Sequence, residues 1–119
     1  MRLENELYEI VARDDRSVRV RLLPDSAIFK AHFPGNPVTP GVCQVGMVEE
    51  LAEMILDCKL HLREVKSLKY LEVLRPQPDH AVVITFDNLE SEDAELKAKG
   101  SIVSEERIFT KFSLVFERQ

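Results

Sequence analysis

Hydrophobic and polar residues alternate along several short segments of the chain, a period typical of strands with one buried face. The clearest segment is SVRVRLL at residues 17–23, in which valines and leucines alternate with arginines. It follows residues 4–12 across a polar turn at residues 13–16, and the two segments are predicted to form a β-hairpin. Further strands are predicted over residues 65–74, 81–87, 95–104 and 107–116.

One longer segment, residues 41–60, has apolar residues at helical rather than strand spacing. Thr39 and Pro40 precede it, and a capping hydroxyl and a proline suit a helix N-terminus. The acidic residues of the segment fall within about 60° of Gly46 around the helix, so more than half of its circumference is apolar. Two strands, one long helix and four strands therefore predict an α+β fold, in which a six-stranded, mostly antiparallel sheet curls around the helix.

Composition narrows the class of protein. With 119 residues, 45% of them hydrophobic, the chain is expected to form a single domain over residues 1–119. No run approaches the ~20 apolar residues of a membrane span, and the first residues lack the pattern of a signal peptide, so we expect a cytoplasmic protein. A net charge of −5 without a basic run argues against nucleic acid as a partner. Cys43 and Cys58 lie too far apart along one helix to be bridged and are predicted to be free thiols.

The segment between the hairpin and the helix carries the most specific motif. HFPGNPVTPG, residues 32–41, contains three prolines and two glycines, a composition that excludes a helix or a central strand and predicts a stiff loop. With Val42 added, this string closely resembles the active-site loop of the β-hydroxyacyl-acyl-carrier-protein dehydratases, which have the hotdog fold. The Arg75-Pro76 pair after the third predicted strand also fits that family.

The resemblance implies a dimer in which two curled sheets join and each active site lies between subunits. It implies that His32 removes an α-proton from a 3-hydroxyacyl thioester, and that the Gly41 amide holds the thioester carbonyl. These roles suit the chemistry, since imidazole titrates near neutrality and a helix N-terminus offers free N–H groups to a developing oxyanion. The substrate-binding residues expected around them are Phe33, Pro40, Gly41, Val42 and Gly46.

The sequence departs from the family at one position. The acid that protonates the departing hydroxyl stands fourteen residues after the loop histidine, and this chain has Gly46 there. Glu50, one turn further along the same helix face, is the predicted replacement, with Glu49 as a second candidate. Cys43 could instead pair with His32 as a nucleophile, although a cysteine on an apolar helix more often serves packing.

The predicted function is therefore a lyase, a dehydratase acting on 3-hydroxyacyl thioesters of acyl carrier protein or coenzyme A in fatty-acid or polyene-type synthesis. Three alternatives stay open: a catalytically weak subunit of a heterodimeric dehydratase, a hotdog thioesterase, and a non-enzymatic acyl-binding module. A homodimer joined through the sheet edges is expected, with a heterodimer as the other possibility.

No cofactor or metal is predicted, since His61 and His80 show no ligand spacing. Lys66, Lys69 and Arg75 are candidates for contact with an acidic carrier protein or a phosphate group. Lysines on an edge strand also serve simply to prevent unwanted strand pairing.

Overall fold

In the computed structural model, which describes residues 2–31, 35–77 and 80–119, the chain forms six strands and two helices. This arrangement confirms the predicted α+β plan of one long helix and a six-stranded sheet. In chain order the elements are β1 (Tyr8–Arg13), β2 (Ser17–Leu22), α1 (Ala27–Ala31), α2 (Gly41–Leu56), β3 (Leu60–Tyr70), β4 (Val82–Glu92), β5 (Glu95–Ser104) and β6 (Arg107–Arg118).

The sheet has the strand order β1-β2-β4-β5-β6-β3, and every pair of neighbours is antiparallel. Its two ends are β1 and β3, so it does not close into a barrel. Register shifts occur in four of the five strand pairs, for example between Phe86 and Asn88 of β4. Such bulges bend strands and increase their twist, which lets one face of the sheet curve around a helix.

The long helix α2 packs on that face. Its buried residues are Gln44, Met47, Val48, Leu51 and Ala52. Residues of β5 alternate between buried and accessible along the whole strand, as a sheet with one covered face requires. Helix and sheet together form one hydrophobic core, in which the rings of Phe86 and Phe112 meet edge to face at 5.7 Å.

Helix α2 ends at Leu56, earlier than the periodicity predicts. Asp57 adopts a left-handed conformation with φ 51°, and its N–H bonds the carbonyl of Glu53. The Glu53 carboxylate accepts a hydrogen bond of 2.9 Å from the backbone N–H of Leu60. These bonds reverse the chain immediately, so β3 begins at Leu60 and not at Val65.

One further local prediction was wrong, and one short element was missed. Residues 4–7 form a turn and not a strand, because the N–H groups of Glu6 and Leu7 both bond the carbonyl of Leu3. The short helix α1 was not predicted at all. It starts where the Ser26 hydroxyl accepts a hydrogen bond from the Ile28 N–H, and it buries Phe29.

Both cysteines are free and half-buried, as predicted. Among the described residues, none of the helices is long and apolar enough to cross a membrane.

Candidate active site

The site begins at the first turn of α2. The Pro40 carbonyl accepts hydrogen bonds from the N–H groups of Cys43 and Gln44, at 3.0 and 3.1 Å. No described residue accepts one from the N–H of Gly41 or Val42, as is usual for the first residues of a helix. The Val42 side chain is 79% exposed. Two backbone donors at the positive end of the helix dipole are therefore available to a ligand.

A buried polar chain holds this helix end in place. The Thr39 N–H donates to the Leu74 carbonyl at 2.8 Å, and Gln44 Nε2 donates to the Thr39 carbonyl at 3.2 Å. The Thr110 hydroxyl of β6 donates to Gln44 Oε1 at 2.6 Å. The loop, the first turn of the helix and the sheet are thus tied together by one glutamine. Gln44 was not predicted as a site residue. A polar residue on the apolar face of the helix was the pattern that could have indicated it.

Arg75 braces the same loop from the other side. Its guanidinium hydrogen-bonds the Asn36 side chain and approaches the Pro37 carbonyl at 3.5 Å. This contact gives Arg75 a structural role beside the one predicted from its charge. Lys66 and Lys69 are exposed on β3.

The predicted side-chain cap is wrong. Pro40 occupies the N-cap position, and no side chain there bonds the helix N–H groups. Thr39 is only 2% exposed, and no described residue hydrogen-bonds its hydroxyl. The physical reason is that Thr39 turns into the protein, where its own backbone is held by Leu74.

Gly41 lies against Tyr70, the last residue of β3. A Cβ atom at Gly41 would collide with the Tyr70 hydroxyl oxygen. Glycine at this position therefore allows the phenol to reach the helix N-terminus. Tyr70 is half-exposed and was missed by the sequence analysis, because a tyrosine at a strand end carries no motif.

His32 and Phe33, the predicted base and its neighbour, lie outside the described residues. Their roles stay predictions. The loop resumes at Gly35, whose φ of 84° requires glycine.

Gly46 faces Leu3, which belongs to the N-terminal segment, residues 3–8 of the same chain. A Cβ atom there would stand 2.8 Å from Cδ1 of Leu3, and Leu3 is 5% exposed. A leucine side chain thus fills the space in which a larger residue at position 46 would begin. The expected carboxylate at this position is replaced by apolar packing.

Glu50 anchors the N-terminal segment to helix α2 by hydrogen bonds. Its carboxylate accepts hydrogen bonds from the N–H of Leu3 at 2.6 Å, from the N–H of Glu4 at 3.0 Å and from the hydroxyl of Tyr8 at 2.9 Å. Burial, reinforced by the bond to Glu50, raises the pKa of the fully buried Tyr8. The geometry favours an anchoring role for Glu50, and its role as proton donor stays a prediction.

Burial disfavours one alternative candidate on the helix and leaves the other open, because a raised pKa opposes a thiolate but suits a proton-donating carboxyl. Burial raises the pKa of the Cys43 thiol, which opposes formation of the nucleophilic thiolate. Burial also raises the pKa of Glu49, as does the neighbouring Glu53, while His61 acts in the opposite direction.

The contact between Leu3 and Gly46 predicts a coupled effect on stability. Gly46→Ala improves helix propensity by ~1 kcal/mol, but its methyl group overpacks the space that Leu3 occupies. We expect the substitution to be at least ~1 kcal/mol more favourable in a Leu3→Ala background than in the unchanged chain. Urea denaturation of the four proteins measures this difference, and equal effects in both backgrounds would contradict the packing.

A family model described as ApeI dehydratase matches residues 9–107. The chain belongs to the ApeI-like dehydratase family. Two curated relatives of this ApeI-like chain are named 3-hydroxyacyl-[acyl-carrier-protein] dehydratase FabZ. The one from Latilactobacillus sakei is 29% identical over 100 residues, 78% of this chain and 71% of the relative. The one from Ligilactobacillus salivarius is 28% identical over 99 residues, 75% and 69% of the two chains. The predicted family resemblance is confirmed.

Solved structures similar to the ApeI-like chain include two classes of protein. The dehydratase heterocomplex ApeI:P from Xenorhabdus doucetiae gives a TM-score of 0.67 at 18% identity, over 92% of this chain and 95% of that one. A hypothetical thioesterase with coenzyme A from Streptococcus pneumoniae gives 0.66 at 16% identity, over 94% and 85%. These likenesses establish the predicted hotdog fold.

Proposed function

We propose that this ApeI-like protein dehydrates 3-hydroxyacyl thioesters carried by acyl carrier protein, in fatty-acid or polyene-type synthesis. The proposal rests on the helix N-terminus at Gly41 and Val42, which directly follows the loop that contains His32. No described residue accepts a hydrogen bond from either N–H group. The two FabZ relatives, named as 3-hydroxyacyl-[acyl-carrier-protein] dehydratases, support the same substrate class. Phe33, Pro40 and Gly46 are proposed to line the substrate site around these donors.

In the proposed reaction, His32 takes the α-proton while the Gly41 N–H bonds the thioester oxygen. The electron pair of the broken C–H bond forms the α,β double bond, and the bond from the β-carbon to the hydroxyl oxygen breaks. Because Leu3 fills the space at Gly46, we assign the second proton step to His32 as well. The imidazolium gives its proton to the departing hydroxyl, which leaves as water and returns the base to its neutral form.

A thioesterase is the second candidate, since a hotdog thioesterase shares the fold. It needs a carboxylate or another base to activate water against the thioester carbonyl. The Glu50 carboxylate already accepts three hydrogen bonds from residues 3–8, which disfavours that role.

One assay separates the two candidates. Purified protein is incubated with 3-hydroxyacyl and enoyl thioesters of several chain lengths, on carrier protein and on coenzyme A. Loss or gain of water is followed by mass, and free thiol is measured separately. Dehydration without thiol release is expected, and thiol release alone would replace the proposal by a thioesterase. Activity that appears only after a second hotdog chain is added would indicate the heterodimeric alternative.

We propose in addition that the protein is a homodimer joined through β3. This strand is eleven residues long and forms one end of the sheet. Apolar side chains stay exposed along it and just beyond it, at Val65, Leu71 and Val73. A long edge strand with exposed apolar residues is a template for pairing with a second chain.

Light scattering at micromolar concentration is therefore expected to give twice the mass of one chain. Val65→Asp should shift the equilibrium toward monomer, since it places a charge on the pairing edge. The matched control is Val11→Asp on β1, the opposite edge, where a similarly exposed valine is replaced. A monodisperse monomer for the unchanged protein, or equal effects of the two variants, would contradict a dimer through β3.

A further inference from the structure

We propose that the Tyr70 hydroxyl is a second hydrogen-bond donor to the thioester carbonyl oxygen, acting beside the Gly41 N–H. This inference rests on the proposed function and adds a catalytic residue to the site. It concerns the oxygen that becomes negatively charged when the α-proton leaves, so the tyrosine donates a hydrogen bond and transfers no proton.

The phenol of Tyr70 lies beside the N-terminus of helix α2. Its Oη atom is the nearest to the point where a Cβ atom of Gly41 would stand, and its Cζ and Cε2 atoms lie 2.7 and 3.2 Å from that point. That point is two bonds from the Gly41 nitrogen, so the hydroxyl and the amide border the same small volume. No described residue hydrogen-bonds the Tyr70 hydroxyl, and the side chain is 49% exposed. Since neither group has a partner among the described residues, both donors are open to a ligand bound at this point.

One buried residue, Thr110, positions both donors. In the antiparallel pair of β3 and β6, Tyr70 stands opposite Thr110. The hydroxyl of the same Thr110 donates to Gln44 Oε1 in the first turn of α2, at 2.6 Å. The strand that carries the phenol and the helix that carries Gly41 are therefore positioned against a single buried residue. Two donors held in advance can stabilise a developing charge without having to reorganise.

The chemistry of the phenol fits a donor. Burial raises the pKa of Tyr70 above its ordinary value, which lies near 10. The group consequently stays protonated at neutral pH and is a poor proton source. A neutral hydroxyl can still bond an enolate-like oxygen more strongly than the carbonyl oxygen of the bound substrate. This difference between transition state and ground state is what accelerates the chemical step.

The test is Tyr70→Phe, which removes the hydroxyl and keeps the ring against Gly41. We expect kcat for dehydration to fall by ~10²-fold, the usual effect of losing one oxyanion donor, with KM changed by less than about 3-fold. The second readout is the carbonyl stretching frequency of a bound enoyl-pantetheine thioester, measured by difference infrared spectroscopy. In the unchanged protein this frequency is lowered by polarisation, and in Tyr70→Phe it should move back toward the value in water.

Val11→Ala is the control, since Val11 lies on β1, at the opposite edge of the sheet, and is similarly exposed at 55%. It should leave both kcat and the carbonyl frequency unchanged. The infrared measurement needs binding and not turnover, so it separates this inference from the proposed function. If Tyr70 polarises the carbonyl of a bound thioester but the protein does not dehydrate it, the proposed function is wrong and the role of Tyr70 stands. Unchanged kcat and an unchanged frequency in Tyr70→Phe would overturn the inference, as would a rise in KM only or a failure of the unchanged protein to bind the thioester.

Discussion

His32→Ala is expected to lower kcat/KM for 3-hydroxyacyl thioester dehydration by about 10³-fold or more, to the limit of detection. The reason is that both proton steps of the proposed reaction pass through this imidazole, and a positioned acid–base group commonly contributes 10² to ~10⁴-fold. The free energy of unfolding should change little, because a loop position contributes little to a hydrophobic core. Substrate depletion and enoyl product are measured by mass, and stability by urea denaturation.

The chain supplies its own controls for this variant. His61 and His80 are the other two histidines, and Nε2 of His80 lies 2.9 Å from the Glu105 carboxylate. His61→Ala and His80→Ala should therefore retain the activity of the unchanged protein within a few-fold. If His32→Ala retained full rates on an accepted substrate, the mechanism implied by the loop motif would be wrong.

Glu50→Gln is expected to destabilise the protein by about 2 kcal/mol and to lower kcat by less than 10-fold. A glutamine keeps one acceptor oxygen but turns an NH₂ group toward donors that now need another partner. Leaving such part-buried donors unsatisfied costs ~1–3 kcal/mol. Urea denaturation measures the loss, and hydrogen exchange at the amides of Leu3 and Glu4 should show that the N-terminal segment opens more often.

The same variant tests the role predicted from sequence. A proton donor replaced by an amide would lose about 10²-fold in kcat with stability unchanged. Glu49→Gln is the parallel variant: Glu49 does not bind the N-terminal segment, so stability should be unchanged, and a large loss of kcat there would assign the proton to Glu49, the second candidate acid. A large loss of kcat in Glu50→Gln without loss of stability would restore Glu50 as the acid and contradict the anchoring role.

Gly46→Glu tests a third possibility, namely that the site is complete except for its acid. The first side-chain atom of a residue at position 46 meets Leu3, so the single variant is expected to loosen the N-terminal segment without gaining activity. The double variant with Leu3→Ala removes that side chain and should accommodate the carboxylate better. A gain of dehydration by Gly46→Glu alone would show that Leu3 yields easily.

Motifs and periods within the sequence determined the main features of this protein. The alternation along residues 95–104 predicts β5 with both ends correct, because a strand half-buried in a sheet must repeat every two residues. The start of α2 at Gly41 follows from the proline before it, which is a local constraint on φ. The Pro- and Gly-rich loop identified the family by its order of residues alone.

The tertiary structure decided what distant residues do to one another. Glu50 reads as a candidate acid within its helix, yet its partners Leu3 and Glu4 are more than 45 positions away. Gly46 reads as a missing carboxylate, and only packing shows that Leu3 fills its place. Tyr70 reaches Gly41 because β3 and α2 are braced through Thr110, a residue of β6. Local patterns carry the conformational preferences of neighbouring residues, whereas the environment of a carboxylate, a glycine or a phenol is set by contacts between elements that only the folded chain brings together.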